Sequence, residues 1–332
     1  MAPALTRTMA RTLPMRLRLV AAALGLAMTA SCAAADKSTP RVDPDRHQFG
    51  IIGHSFRDSG GEARLKQAIA DESEAALAFV VVTGIKAANE PCSDRLYAQR
   101  RELLDDAKRP LIVLPSSTDW SECKNSAGRS VAIERLNRLR ELLYGETTSL
   151  GVRKLALTRL SANGKFRSYA ENAHWQVGEV LYATINLPAN NNHYRPEAGR
   201  NSEFEDRMVA NRFWLKRLFA MAKREKLAAV VLFSEGDVKA LTERTGLRGL
   251  LDRATTRADG FDEPRRQIAT LAAKFGGRVL LIDSDPAAPK AVPSIEWRGR
   301  LGHLGLGAQA VEVTVTPGTA QLFSLQGAGD EK

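Results

Sequence analysis

The chain has 332 residues, 44% of them hydrophobic and 26% charged, with a formal net charge of +10. That is enough apolar material to bury a real core in one large domain or two modest ones, which excludes a disordered chain. Removing residues 1–31 leaves 44 basic against 38 acidic side chains, spread without a basic run or interleaved aromatics, so no nucleic-acid partner is expected.

The front of the chain reads as an export signal over residues 1–32. Arg7, Arg11, Arg16 and Arg18 precede an apolar run from Leu19 to Ala30 that is too short for a permanent membrane span. Cleavage after Ala35 would release a soluble periplasmic protein. Cleavage before Cys32 would leave a lipid-anchored envelope protein, the one route by which a membrane partner is expected. Residues 33–47 read as a linker, residues 48–326 as the domain and 327–332 as a tail. With Cys32 assigned to the signal, Cys92 and Cys123 remain as an even pair in an oxidising compartment and are expected to form a disulfide.

Within the domain, Phe49–Gly53 predicts a first strand and His54–Gly61 a polar loop. A helix follows with Leu65, Ala68 and Ile69 inward. Ala78–Thr83 is a buried strand, and Ser93 or Asp94 caps a helix carrying Leu96, Leu103, Leu104 and Ala107. Leu111–Leu114 is a third buried strand that opens at Pro115 into Ser116, Ser117, Thr118 and Asp119. A helix over Val131–Leu143 carries Ile133, Leu136, Leu139 and Leu143 on one stripe. The middle is richer in strands: Leu155–Leu157, then His174–Leu187 with a hairpin turn at Gly178-Glu179. Ser202 and Glu205 predict a capping box before a long amphipathic helix. Ala228–Phe233 and Val279–Ile282 are further buried strands, separated by a helix that Pro264 starts, and the chain closes on a hairpin around Pro317-Gly318. Gly302-His303-Leu304-Gly305 reads as a glycine-rich region without the following helix of a phosphate loop.

Strand ends at Gly53, Thr83, Leu114, Phe233 and Ile282, each followed by a short polar loop, resemble the skeleton of the calcineurin-like metallophosphoesterases. The resemblance extends to an exported bacterial branch whose third-strand loop is of the type Pro-Gly-Asp-Asn-Glu-Trp-Thr-Asp-Cys, matched here by Pro115, Trp120 and Cys123. Other matches are Ile85-Lys86, Cys92-Ser93-Asp94 with Tyr97, the Glu134-Arg135-Leu136 helix, Glu171-Asn172 before Trp175, and Asn190-Asn191-Asn192. It implies an α/β fold, a four-layer αββα sandwich of two mixed sheets flanked by helices, and a pair of metal ions that clamps a phosphoryl group at the strand ends.

Carried over residue by residue, the implied metal ligands are degenerate. The first-strand aspartate falls at His54, the bridging aspartate at Gly84 and the asparagine at Thr118. A histidine-bearing fourth motif falls on Asp283-Ser284-Asp285-Pro286-Ala287. No metal or other cofactor is therefore expected, and the expected function is that of a noncatalytic envelope protein. Its cleft would bind an anionic small molecule or a protein partner through His54, Ser116, Ser117, Thr118, Asp119, Asn191, His193, Asp283 and Asp285. The alternative is a phosphoesterase whose site has been rebuilt from His54, Asp119, Asp283 and Asp285, since carboxylates and an imidazole can hold a divalent ion or exchange protons. In that case divalent metal ions would be required, with His54, Asp119 and Asp285 the candidate catalytic groups.

Overall fold

The computed structural model describes residues 46–56, 60–74, 76–195, 201–242, 259–287 and 292–326. The export signal, Cys32, most of the linker, residues 57–59 of the expected polar loop, and the tail lie outside them. All described residues belong to the unit Thr39–Lys332.

The apolar runs form the strands of two sheets. In the first, β1 (His47–Ile52), β2 (Val80–Thr83) and β3 (Leu111–Leu114) run parallel. Strand β11 (Ala310–Val315) pairs antiparallel with β1, and β12 (Phe323–Leu325) antiparallel with β11, giving the order β12-β11-β1-β2-β3. The second sheet is seven-stranded. Its elements are β4 (Thr158–Arg159), β5 (Ala173–Val177), β6 (Val180–Thr184), β7 (Ala229–Ser234), β8 (Arg278–Asp283), β9 (Glu296–Arg298) and β10 (Leu301–Gly305), in the order β4-β5-β6-β7-β8-β10-β9. Here β6, β7, β8 and β10 are parallel. The β5–β6 hairpin turns at Gly178-Glu179 as predicted, with φ of +54° at Gly178.

The central strands β2, β3, β7 and β8 are largely apolar because both faces are covered. In β2, Val81 joins Phe49, Ile51, Tyr182, Val231, Phe233 and Ile282 between the sheets, whereas Val80 and Val82 point to the other side, as the two-residue period of a strand requires. That outer face is covered by α1 (Gly61–Glu74), α2 (Asp94–Asp105) and α4 (Ala132–Leu143), through Leu65, Tyr97, Leu104, Leu136 and Leu139. The outer face of the second sheet is covered by α5 (Ser202–Arg224) and α6 (Asp262–Lys274), through Met208, Trp214, Leu218, Ile268 and Ala272. The result is the expected four-layer α/β sandwich with two mixed sheets. Its central core is aromatic: Phe79 packs edge-on against Trp175, with ring centroids 5.1 Å apart, and Trp175 stacks on Phe233. Trp175 is thus a packing residue.

A buried ion pair locks the first helical layer to the strand-rich middle of the chain. Arg140 of α4 donates through Nε and Nη2 to the two oxygens of Glu171, at 2.8 and 2.6 Å, and Asn186 Nδ2 donates to the same carboxylate at 3.0 Å. The attraction of Arg140 and these donated hydrogen bonds outweigh burial and hold Glu171 below the usual carboxylate range.

Three sequence expectations are corrected. Ile133 is 57% exposed, and Ala132 takes the buried first position of the α4 stripe, because stripes starting at either residue satisfy the same helical spacing. Ser202 is not the cap of α5. Asn201 precedes the first turn, with its side chain bonded to Arg195 N and O. Leu155–Leu157 forms no strand, only an isolated bridge from Ala156 to Thr148. Gly302–Gly305, to which the sequence assigns no element, lies in β10, paired with β8 on one side and β9 on the other.

Candidate functional site

The carboxyl ends of β1, β2 and β3 meet those of β7 and β8, the place where open α/β sheets carry their ligands. Two side-chain contacts bridge the sheets there. Thr83 Oγ1 lies 2.9 Å from Ser284 Oγ, and Ser117 donates from its amide and hydroxyl to Glu235, at 2.6 and 3.0 Å.

Gly84, which follows β2, has φ of +74°, and a β-carbon there would lie 2.8 Å from Ser116 Oγ and 3.1 Å from Ser116 Cβ. The left-handed backbone and the lack of room both favour glycine. Ser116 fills the space, its hydroxyl 3.0 Å from Thr118 Oγ1, and Thr118 in turn donates to Lys86 O at 3.1 Å. Lys86 is buried, its ammonium donating to Thr118 O and Ala87 O at 2.9 and 2.7 Å. Burial lowers the lysine pKa, while Asp119 and Glu90 act in the opposite direction.

Asp119 belongs to the short helical turn α3 (Ser117–Trp120) and is 1% exposed. Its carboxylate accepts from Ser116 N at 2.8 Å, Ile85 N at 2.9 Å and Lys86 N at 3.2 Å. Burial pushes its pKa up, and the Ile85 and Ser116 amides pull it back. A carboxylate spent on three amides at the base of two loops is a brace, so the expectation of Asp119 as an open cleft or catalytic group is corrected. The loop it braces is tied further by the Cys92–Cys123 disulfide, Cα to Cα 5.9 Å, and by Tyr97 Oη, which donates to Asp119 O at 2.6 Å.

Glu235, in the turn after β7, is a central residue that the sequence reading passed over. It is fully buried and also accepts from Ala189 N at 2.8 Å, while His54 Nε2 stands 3.6 Å from its Oε1 and 3.5 Å from Thr118 Oγ1. Burial pushes its pKa up to about 8, the amides of Ala189 and Ser117 opposing. The available signal was an acid in the loop directly after the buried Ala228–Phe233 strand.

The two metal ions that the family resemblance implies do not fit these residues. A bridging carboxylate at Gly84 would need the space Ser116 holds, Thr118 is engaged with neighbouring oxygens, and the nearest acids, Asp119 and Glu235, are occupied by amides. The proposed assembly of His54 and Asp119 with Asp283 and Asp285 is also corrected, for the structure divides them. Asp283 Oδ2 is 2.5 Å from His303 Nε2, and Asp237 Oδ1 is 3.6 Å from the same nitrogen. Asp285 is one step removed, accepting from Asp237 N at 3.2 Å. Burial raises the Asp283 pKa and His303 opposes it. The reverse balance holds on the imidazole, where Asp283 overcomes burial and raises it.

Asn191 and His193 lie in a separate turn. Asn191, Asn192 and His193 all have positive φ, between 53° and 55°. This unusual run is held by Arg207, which donates to Asn192 O at 2.9 Å and to Asn192 Oδ1. Asn191 Oδ1 accepts from Gly260 N at 3.0 Å, so Asn191 supports the turn. His193 packs edge-on against Trp120 at 4.9 Å and borders a groove of about 450 Å³ with Val131, Glu134 and Phe204. Burial pushes its pKa down to about 4, leaving the imidazole neutral at pH 7.

No family model matches the chain, and no curated protein matches it. Among solved structures it is similar to that of a dimetal phosphatase from Danio rerio, at 11% identity and a TM-score of 0.49, the match covering 82% of this chain and 93% of that one.

Proposed function

We propose that the protein is an exported, noncatalytic binding protein of the bacterial envelope, with a degenerate form of a phosphoesterase-like site at its strand ends. The observation that carries this reading is Gly84. A left-handed glycine backed by Ser116 stands where the resemblance requires a bridging carboxylate, and a two-metal mechanism needs that carboxylate to hold its ions together. The internal use of Asp119 and Glu235 supports the same reading. The partner is an anionic small molecule or another envelope protein, and export proceeds through the residue 1–32 signal, with Cys32 as the possible point of lipid attachment.

The test is hydrolysis of p-nitrophenyl phosphate and bis(p-nitrophenyl) phosphate by the mature protein, supplied in turn with manganese, zinc and iron between pH 6 and 9. The expected result is no turnover above the buffer-plus-metal background. Metal-dependent turnover that disappears in Asp283→Asn would refute the reading and establish its rival, a hydrolase with a rebuilt site, which the pairing of Asp283 with His303 favours.

A further inference from the structure

At the carboxyl side of the second sheet Asp283, on which the resemblance places its fourth motif, meets two residues that the resemblance does not assign, Asp237 and His303. Asp237 comes from the turn after β7, Asp283 from the last position of β8 and His303 from the middle of β10. One carboxylate oxygen from each aspartate and a ring nitrogen of the histidine all lie within 4.8 Å of one another. Parallel pairing of adjacent strands sets Asp283 and His303, with Leu281 opposite His303 and Ser234 opposite Asp283, and the turn after β7 brings Asp237 to them.

We infer that Asp237, Asp283 and His303 form a binding site for a single first-row divalent cation, of the manganese or zinc type. Two hard carboxylate oxygens and one imidazole suit such ions. With bonds of about 2.1 Å, neighbouring ligand atoms around the ion stand about 3.0–3.4 Å apart. The present separations from His303 Nε2, 2.5 Å to Asp283 and 3.6 Å to Asp237, bracket that range, and the two carboxylates lie within 4.8 Å of each other.

Further features separate this set from a chance cluster of acids. The residues around it orient the ligands, as outer partners do in metal sites. Asp285 N donates to Asp283 Oδ1 at 3.0 Å, while Asp285 Oδ2 accepts from Asp237 N at 3.2 Å, and Ser284 N donates to Glu235 O at 3.2 Å. The Asp283 side chain is 4% exposed, whereas those of Asp237 and His303 are 26% and 22% exposed, giving a buried anchor with an open approach. Gly305 adjoins the group. A β-carbon there would stand 3.5 Å from the His303 ring and 3.9 Å from both Asp283 oxygens, ordinary contact distances that place this position in the wall of the site.

The inference stands whether or not the protein is noncatalytic, since it uses none of His54, Gly84 and Thr118. It is tested by titrating the mature protein with manganese chloride, reading free Mn²⁺ by electron paramagnetic resonance, and repeating with zinc as competitor. The expected result is one Mn²⁺ per chain with a dissociation constant in the micromolar range, displaced by zinc. Asp237→Asn and His303→Gln should each weaken binding at least tenfold while keeping the wild-type circular dichroism spectrum. His54→Gln should leave binding unchanged. Two ions per chain, no binding at millimolar Mn²⁺, or binding that ignores Asp237→Asn and His303→Gln would overturn it.

Discussion

Replacing Gly84 with alanine puts a β-carbon into a left-handed backbone position 2.8 Å from Ser116 Oγ. The backbone alone costs about 1–2 kcal/mol for a residue with a β-carbon. The clash adds about 1–3 kcal/mol, because Ser116 is fully buried and hydrogen-bonded to Thr118 and cannot swing out. The expected loss is about 2–5 kcal/mol, read as a lower urea midpoint at unchanged slope. Aspartate tolerates this backbone region better than alanine, yet Gly84→Asp should be no milder: its carboxylate enters a buried site beside Asp119, whose Oδ1 lies 3.8 Å from the added β-carbon. In a Ser116→Gly background, Gly84→Ala should cost less by about 1 kcal/mol or more, the two sites being in direct contact. A Gly84→Ala protein as stable as wild type, or a Gly84→Asp protein that gains two tightly held metals, would refute the reasoning.

Three further outcomes are expected. Glu72 is buried against Gly50 and Leu77, and burial, with Glu312 and Asp71 nearby, pushes its pKa up to about 8. The folded state therefore binds more protons than the unfolded state between about pH 4.5 and 8, and stability should fall by a few kcal/mol across that window; Glu72→Gln should flatten the decline in urea melts taken at successive pH values. Arg140→Met leaves Glu171 buried without its cation and should cost about 3–5 kcal/mol, whereas Arg140→Met with Glu171→Leu should recover much of that loss in the same assay. Reducing the Cys92–Cys123 bridge, which spans 31 residues, should cost about 3.7 kcal/mol, measurable as a drop in melting temperature that Cys92→Ser/Cys123→Ser reproduces.

The layered architecture was legible because strands covered on both faces spell themselves out as apolar runs, and β2, β3, β7 and β8 all do so. Strand β10 did not, since Leu-Gly-His-Leu-Gly carries too little apolar bulk to stand out; its pairing with β8 and β9 makes it a strand. At the site, the sequence located the loops but not the direction of their side chains. Asp119 looked like an available acid, and only the fold turns it onto the amides of Ser116, Ile85 and Lys86. His303 stood 20 residues from Asp283, a distance along the chain that disappears when two parallel strands pair. Glu235 carried a readable signal, an acid at the end of a buried strand, and its partners Ser117 and Ala189 lie too far away in sequence to suggest each other.

The most direct measurement of the central claim is anomalous diffraction from crystals of the mature protein soaked in manganese chloride. The account predicts a single peak, bounded by Asp237, Asp283 and His303, and no density for an ion among His54, Gly84 and Thr118. A pair of peaks about 3.5–4 Å apart at those three positions, the spacing of a two-metal phosphoesterase centre, would contradict it.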